Sequence, residues 1–253
     1  MPTTMEALLS CSNELLKPEL FDDYCPNGLQ IQGKNTVQRL VCGVTASQAL
    51  IDRAIAAQAD VVLVHHGFFW KGENPCITGI KRRRIEALLR HDINLLAYHL
   101  PLDAHPRLGN NACLAERLGI DISGGLDGDG PGSVGNIGRL QQPLSARQFC
   151  SRVADALGRE PLLIAAGEHP ISTIGWCSGA AQGYIDRAAA LGVDAYLSGE
   201  VSEPTVHSAR ELGVHYIAAG HHATERYGVQ AVGQYLAQAL DLDYQFIDVD
   251  NPV

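Results

Sequence analysis

An internal repeat is the feature that most constrains the fold of this chain. Residues 46–63 (ASQALIDRAIAAQADVVL) align without gaps with residues 180–197 (AAQGYIDRAAALGVDAYL), and both copies contain the block IDRA. Each copy has the pattern of a helix followed by a buried strand, and a further strand follows after one more predicted helix. Alternating helices and strands are typical of α/β proteins with largely parallel sheets. The repeat therefore predicts two similar, pseudo-symmetric α/β lobes, with Gln48 equivalent to Gln182.

The glycine-rich segment 123–138 (SGGLDGDGPGSVGNIG) lies between the two copies, and its composition is typical of a linker and turn region. We therefore place the first lobe at residues 1–126 and the second at 127–225. The C-terminal helix and strand, 226–253, are expected to join the first lobe. The segment contains no G-x-G-x-x-G between a strand and a helix, which excludes the dinucleotide-binding fingerprint.

The composition excludes several classes of protein. The chain has 253 residues, of which 46% are hydrophobic and 19% charged, as in ordinary soluble globular proteins. It has neither an apolar run of about 20 residues for a membrane span nor the pattern of a secretory signal. Seven cysteines without a C-x-x-C pair fit reduced thiols in the cytoplasm. The net charge of −9 argues against binding to duplex nucleic acid, which depends on Lys and Arg.

One basic run, 81–84 (KRRR), opens an amphipathic segment and allows two interpretations. A run of this kind is typical of the solvated face of a helix. Clustered guanidinium groups are also the usual partners of phosphate. The sequence leaves both open.

Two adjacent histidines follow a fully apolar strand. Residues 61–64 (VVLV) read as a strand buried on both faces, and His65 and His66 come directly after it. Histidine is a common metal ligand, although one at a strand end is also typical of a hydrogen-bonded surface residue. If both bind metal, we expect their side chains to diverge, because neighbours on an extended chain point to opposite faces.

The other predicted strand ends carry similar residues. His99 and Asp103 follow strand 93–98, and His221 and Glu225 follow strand 214–219. In open parallel sheets, ligands bind outside the carboxyl ends of the strands. We therefore expect these side chains to converge, with His99 near the position equivalent to His221.

Three histidines with two carboxylates form a ligand set suited to Fe, Mn, Zn or Co, and five such ligands indicate two divalent ions. The alternative is structural: H-x-x-x-E on a helix is often a surface ion pair, and Asp103 could cap the next helix. The residues alone leave both interpretations open.

Several motifs resemble those of the GTP cyclohydrolase I type 2 homologue family, also called dinuclear metal-centre proteins. The resemblance covers nearly the whole chain and is strongest to the short bacterial members. The motifs are DDYCPNGLQIQG (22–33), HHGFFWKG (65–72), HLPLDAHP (99–106), SGEVSE (198–203) and GHHATERYG (220–228).

The resemblance implies a two-metal site between the lobes. Ions bound there would hold the two lobes together. The ligands that it implies are His65, His66, Asp103, His221 and Glu225. It implies further roles beside the metals for His99, His222 and Glu200, of which His99 and His222 are the candidate proton shuttles. It also implies a ring-shaped homohexamer.

The function that follows is a dinuclear metal-dependent hydrolase acting on a nucleotide or related heterocycle, with GTP ring opening as the named candidate. The alternative is a non-catalytic, metal-binding protein that forms a ring and serves interaction. Open coordination positions would favour the hydrolase, and saturation of the ions by protein groups would favour the alternative.

Overall fold

The computed structural model describes residues 2–130 and 132–253, in which helices and strands alternate along most of the chain. The helices are α1 (Met5–Leu16), α2 (Gln48–Ala56), α3 (Gly79–Arg90), α4 (Leu100–Ala104), α5 (Asn110–Leu118), α6 (Ala146–Leu157), α7 (Ile185–Ala190), α8 (Glu203–Leu212) and α9 (His221–Leu240). The strands are β1 (Thr3–Thr4), β2 (Gly28–Ile31), β3 (Thr36–Val37), β4 (Arg39–Thr45), β5 (Val61–His66), β6 (Asn94–Ala97), β7 (Ile120–Gly125), β8 (Asn136–Leu144), β9 (Leu162–Ile164), β10 (Ile171–Cys177), β11 (Ala195–Ser198), β12 (His215–Ala218) and β13 (Asp243–Phe246). Short 3-10 helices lie at Pro18–Leu20 and Gln182–Tyr184.

The chain forms two compact units. Unit 1 comprises the chain up to Leu102 together with Gly228–Asp250, and unit 2 comprises Asp103–Tyr227 with the last three residues. The C-terminal part of α9 and β13 thus belong to unit 1.

Unit 1 is built on a five-stranded sheet in the order β13-β4-β5-β6-β2. Strands β13, β4, β5 and β6 are parallel, and β2 pairs with β6 in the antiparallel direction. The central strand β5 is covered on both faces, so its residues 61–64 are completely buried, as its unbroken apolar sequence predicts. Leu50 of α2 and Leu88 of α3 pack into the same core.

Unit 2 contains a six-stranded sheet in the order β7-β8-β10-β11-β12-β9. Its central strands β10, β11 and β12 are parallel, whereas β8 and β9 pair with their neighbours in the antiparallel direction. Large aromatic side chains fill its interior, where Trp176, Tyr196 and Tyr216 are completely buried.

The predicted fold class is confirmed, since both units are α/β with parallel central strands. The order β4-α2-β5-α3-β6 in unit 1 recurs as β10-α7-β11-α8-β12 in unit 2. In each unit an antiparallel strand, β2 or β9, pairs with the last of the three parallel strands. The repeat in the sequence is therefore a repeat of topology.

Hydrogen bonds fix the register of the repeat. The amide of Tyr98 donates to the carbonyl of Val64 (3.1 Å), and that of Ala219 donates to the carbonyl of Ser198 (2.8 Å). Tyr98 is therefore equivalent to Ala219, which makes the next residue, His99, equivalent to Gly220. His99 thus lies one residue before the position equivalent to His221, and so near it, as the sequence predicts.

An aspartate from each copy of the repeat, buried in the case of Asp60 and half-buried in that of Asp194, caps the first parallel strand of its unit. Asp60 Oδ2 accepts hydrogen bonds from the amides of Gln38 (2.7 Å) and Arg39 (2.8 Å). Asp194 Oδ2 accepts the equivalent bonds from Ser172 (2.9 Å) and Thr173 (2.8 Å). The carboxylates satisfy amides that would otherwise lack partners at the strand start.

The pKa of Asp60 determines when this cap contributes to stability. Burial alone would raise the pKa, but hydrogen bonds from Lys34 and the amides of Arg39 and Gln38 outweigh it, so the pKa lies below its ordinary value. Because its pKa is lower in the folded state, the ionised carboxylate stabilises the fold at pH values above its unfolded-state pKa of about 4. This stabilisation is lost as the pH falls through the folded-state pKa.

We expect Asp60→Asn to lower the free energy of unfolding by about 1–2 kcal/mol at pH 7, because hydrogen bonds to charged groups exceed neutral ones by about this amount. The difference from the unchanged protein should shrink below about pH 4. Urea denaturation across pH 3–7 measures both. Asp121→Asn, at an exposed position, should change little; a deficit of Asp60→Asn that grows toward acid pH would refute the assignment.

The segment 123–138 is not a linker between the units, so that prediction is wrong. Strands β7 and β8, which flank its turn, pair in the antiparallel direction within the sheet of unit 2. Pro131 lies outside the described residues. Glycine enrichment indicates a turn correctly but does not distinguish a hairpin from a linker.

The units divide between Leu102 and Asp103, whereas the sequence places the boundary after residue 126. Helix α5 packs against β7 and α6 of unit 2, which draws the segment after Leu102 into that unit.

All seven cysteines have free thiols. Across residues 2–130 and 132–253, no helix combines the length and the apolar character that a bilayer span requires.

Candidate metal centre

In unit 1, the histidine pair lies where β5 leaves the sheet. His65 Nδ1 is 3.0 Å from the carbonyl oxygen of Tyr98. Because a carbonyl only accepts hydrogen bonds, Nδ1 of His65 carries the proton, which directs the lone pair of the neutral ring to Nε2. His66 Nδ1 lies 3.1 Å from the hydroxyl of Thr45, at the end of the parallel neighbour β4. Both contacts orient the imidazoles in the way that metal-binding histidines are usually oriented.

The two rings do not diverge, so that prediction is wrong. The ring centroids of His65 and His66 are 4.5 Å apart and the planes are inclined by 44°. Both histidines are the last residues of β5, so their positions on the strand do not by themselves separate the two rings.

The end of the parallel strand β6 adds a third imidazole to the pair. The ring of His99 lies 5.0 Å from that of His65 and 5.8 Å from that of His66. One ring nitrogen from each of the three residues lies within 4.8 Å of the others. The predicted convergence at the carboxyl ends of the strands is therefore present for these histidines.

Asp23 holds His99, and sequence reasoning missed this residue. Asp23 Oδ1 is 2.6 Å from His99 Nδ1, while Oδ2 accepts hydrogen bonds from the Asn27 side chain (2.9 Å) and the Leu100 amide (2.9 Å). Burial would raise the pKa of Asp23, but these bonds and the charge of His99 outweigh it and lower the pKa to about 2. The carboxylate is therefore ionised and fixes the ring through Nδ1. Its position in the motif DDYCPNGLQIQG was the available signal.

In unit 2, His221 lies between two carboxylates. His221 Nδ1 is 2.7 Å from Glu200 Oε1, and Nε2 is 3.2 Å from Glu225 Oε2. Burial would lower the pKa of His221, but the hydrogen bonds and charges of Glu225 and Glu200 outweigh it and raise the pKa to about 9. A metal ion bound at Nε2 must therefore displace a proton. Glu225 is itself buried rather than on the surface.

Asp103 belongs to unit 2, and not to the unit of His65 and His66 as the sequence predicts. Its Oδ1 accepts hydrogen bonds from the side chains of Asn110 (2.9 Å) and Ser178 (2.9 Å). Helix α5 begins after Gly109. The hydrogen bond that Asp103 accepts from this helix comes from the side chain of Asn110 rather than from a backbone amide of the helix start.

The carboxylates of Asp103 and Glu225 both lie near Cys177 at the end of β10. The pKa of the Cys177 thiol is raised well above its ordinary value, first by burial and then by these two negative charges. Cys177 is consequently a neutral thiol. Two carboxylates close to one buried position form the kind of donor group that a divalent cation neutralises.

Gly179 lies close against the ligand atoms of unit 2. A Cβ at this position would collide with Glu225 Oε1 and lie 3.1 Å from His221 Nε2. Only a residue without a side chain fits at this position, and the histidine and carboxylate donors beside it suit the borderline divalent metals.

We expect Gly179→Ala to weaken divalent-metal binding at least about tenfold, because the methyl group would occupy the space beside the two donors. Its φ of +64° also adds strain of about 1 kcal/mol. Gly192→Ala is the matched control: φ is +72°, and its Cβ would meet none of the described residues within 4 Å. Calorimetric titration with Mn²⁺ measures the affinity; equal loss in both variants would mean that strain alone is responsible.

The remaining predicted residues have different environments. Glu200 contacts His221 directly, as described above. His222 is the second residue of α9, next to His221, and its amide donates to the carbonyl of Val253 (3.0 Å). Sequence reasoning also missed Ser178 and Asn110, which hold Asp103; small polar residues after a strand give no distinctive signal.

Comparison with known proteins identifies the family. Residues 3–252 match the family described as Duf34/NIF3 (NGG1p interacting factor 3). The chain belongs to the Duf34/NIF3 family. A relative from Pseudomonas aeruginosa named GTP cyclohydrolase 1 type 2 homolog is 58% identical over 252 residues, with 100% of each chain covered. The resemblance noted from the motifs is therefore confirmed.

Solved structures agree with this Duf34/NIF3 assignment. The structure of a protein named ybgI, of unknown function, has a TM-score of 0.95 at 50% identity and covers 99% of this chain and 100% of its own. That of TTHA1606 from Thermus thermophilus has a TM-score of 0.90 at 33% identity, with 99% and 100% covered. The Duf34/NIF3 fold thus extends over nearly the whole chain.

Proposed function

We propose that this chain is a hydrolase that uses two divalent metal ions to open or cleave a nucleotide or related heterocycle. The proposed ligands are His65, His66, Asp103, His221 and Glu225. The observation that carries the proposal is the convergence of the His65, His66 and His99 rings within one cluster whose third member is oriented by an ionised aspartate.

The contacts of His65 and His221 support a metal site because a hydrogen bond at Nδ1 orients each imidazole and directs Nε2 to the ion. The Tyr98 carbonyl fixes the tautomer of His65, and Glu200 accepts a hydrogen bond from His221 Nδ1. Divalent ions bound there would lower the pKa of a coordinated water and polarise the substrate atom under attack.

His99 is the proposed proton carrier. Its Nδ1 donates to the ionised Asp23, so Nε2 is the atom that accepts a proton and later returns it to the leaving group. An aspartate behind the imidazole fixes its orientation and stabilises its protonated form. His222, the second residue considered for this role, follows the proposed ligand His221 in α9.

The substrate class rests on similarity. The Pseudomonas relative carries the name GTP cyclohydrolase 1 type 2 homolog, which supports a purine nucleotide and ring opening as the first candidates. The ionised aspartate behind His99 suits a proton carrier, which a hydrolase needs and the non-catalytic alternative does not.

A substrate screen tests the proposal. Metal-reconstituted protein should hydrolyse a member of three groups: nucleotides, phosphodiesters or cyclic amides. His66→Ala should abolish the activity found, because it removes a proposed ligand. Activity that survives in His66→Ala, or that remains after complete metal removal, would refute metal-dependent hydrolysis by this site.

The assembly and the partners stay predictions. We propose a homohexameric ring, which light scattering coupled to gel filtration tests by its mass. The charge of −9 leads us to expect no sub-micromolar binding to duplex DNA at 150 mM salt, since such binding depends on neutralised phosphates.

A further inference from the structure

The loop between β5 and α3 encloses a cavity beside the histidine cluster. The cavity has a volume of about 370 Å³ and is lined by residues of the loop and the first turns of α3. This volume lies in the range of small-molecule sites. All of its lining belongs to unit 1, and the basic run 81–84 supplies Lys81 and Arg84 to it.

The charge of the cavity is not balanced. Lys81 is neutralised by Glu73, whose carboxylate lies 3.0 Å from its amine, and it also donates to the carbonyl of Asn74. Arg84 has no such partner: its Nε is buried and meets no hydrogen-bond acceptor in residues 2–130 or 132–253. A guanidinium with an unused buried donor leaves one net positive charge in the cavity.

The start of α3 adds to this positive potential. Helix α3 has twelve residues, and its N-cap residue Thr78, which lines the cavity, makes no side-chain capping hydrogen bond. The first amides of a helix and its dipole favour an anion at that end. Arg84 and the helix start thus favour the same kind of ligand.

The loop between β5 and α3 connects the cavity to the histidines. Glu73 Oε2 accepts a hydrogen bond from the Trp70 amide (3.0 Å), and Phe69 has a φ of +66°, which is strained for a non-glycine residue. The Trp70 ring lines the cavity and lies 5.0 Å from the ring of His99 and 5.8 Å from that of His66. One aromatic ring separates the cavity from the proposed reaction centre.

We propose that this cavity binds the phosphate of a nucleotide, with Arg84 as its main ligand and Trp70 as the wall beside the reacting part. The proposal rests on the proposed function for the identity of the reaction, but phosphate binding can be tested without turnover. It also decides between the two interpretations of the basic run: Arg84 would bind phosphate, while Arg82 and Arg83 belong to the exposed helix face.

Cys76 provides the measurement, because it is exposed and lines the cavity. The rate of its alkylation by iodoacetamide would be followed by peptide mass spectrometry in the full chain, both as purified and after metal removal. We expect GMP and inorganic phosphate to slow the alkylation, and guanosine at the same concentration to leave it unchanged. Protection by GMP should persist without metal, which separates the cavity from the metal ions.

Arg84→Gln should weaken protection by GMP at least about tenfold, because it removes a charged donor from the phosphate. Arg83→Gln is the matched control and should bind GMP like the unchanged chain. Arg84→Lys keeps the positive charge but lacks the planar set of N–H donors with which a guanidinium binds phosphate through two hydrogen bonds, so it should give an intermediate affinity. Equal protection in Arg84→Gln and Arg83→Gln, equal protection by GMP and guanosine, or no protection at all would overturn the phosphate site. Failure here leaves the metal analysis unaffected, so the two proposals can fail separately.

Discussion

Glu225→Gln is expected to lower the affinity for divalent metal at least about tenfold, because it replaces a charged ligand with a neutral amide of the same shape. Metal that binds only the native state stabilises it by about 2.7 kcal/mol at a hundred times its Kd. A tenfold weaker site gains about 1.4 kcal/mol less at the same concentration. Thermal melts with and without Mn²⁺ measure the difference, and chelator-treated protein gives the baseline of each variant.

Glu203→Gln is the matched control for this experiment. Glu203 lies on α8 in the same unit, and its side chain is 80% exposed. The control should keep the full metal-dependent stabilisation. Equal stabilisation by Mn²⁺ in Glu225→Gln and Glu203→Gln would show that the buried Glu225 forms only an ion pair with His221.

The second large effect is expected at His99. Loss of a general acid–base group lowers turnover by about 10²–10⁴-fold, so His99→Gln should reduce kcat by this factor on the substrate that the screen identifies. Asp23→Asn should also reduce kcat, because the amide no longer orients the ring or stabilises its protonated form. Metal content should remain unchanged in both variants, since neither residue is a proposed ligand.

His91→Gln serves as the control, because His91 is exposed at the end of α3 in the same unit. It should leave kcat and metal content unchanged. If His99→Gln loses metal in proportion to its activity, His99 is a metal ligand and the proton carrier must be sought elsewhere. Full activity in His99→Gln would exclude it from both roles.

The sequence predicts the fold to the extent that local patterns carry it. The repeat at 46–63 and 180–197 predicts the two α/β units, and the apolar run 61–64 predicts a strand buried on both faces. The unit boundary was misplaced because glycine enrichment around residue 126 indicates a turn of either kind. What decides the boundary is the packing of α5 on its neighbours, which local composition does not encode.

The candidate site was predictable only in part. Histidines at the ends of β5 and β6 follow from the rule that parallel strands present their carboxyl ends at one edge. Asp23 could not be found in this way, because it lies 76 residues from His99 in the chain and in no periodic element. Ser178 and Asn110 hydrogen-bond Asp103 through ordinary polar side chains. Ser178 lies about as far from its partner along the chain as Asp23 does from His99, and Asn110 lies much closer. Their role depends on tertiary contacts alone.

The measurement that tests the central claim most directly is the metal content of each chain. Protein reconstituted with Mn²⁺, Zn²⁺ or Fe²⁺ and freed of excess metal would be analysed by inductively coupled plasma mass spectrometry. The account predicts two ions per chain for the unchanged protein and at most one for His66→Ala and Glu225→Gln. Fewer than one ion per chain in the unchanged protein, or two in both variants, would contradict it.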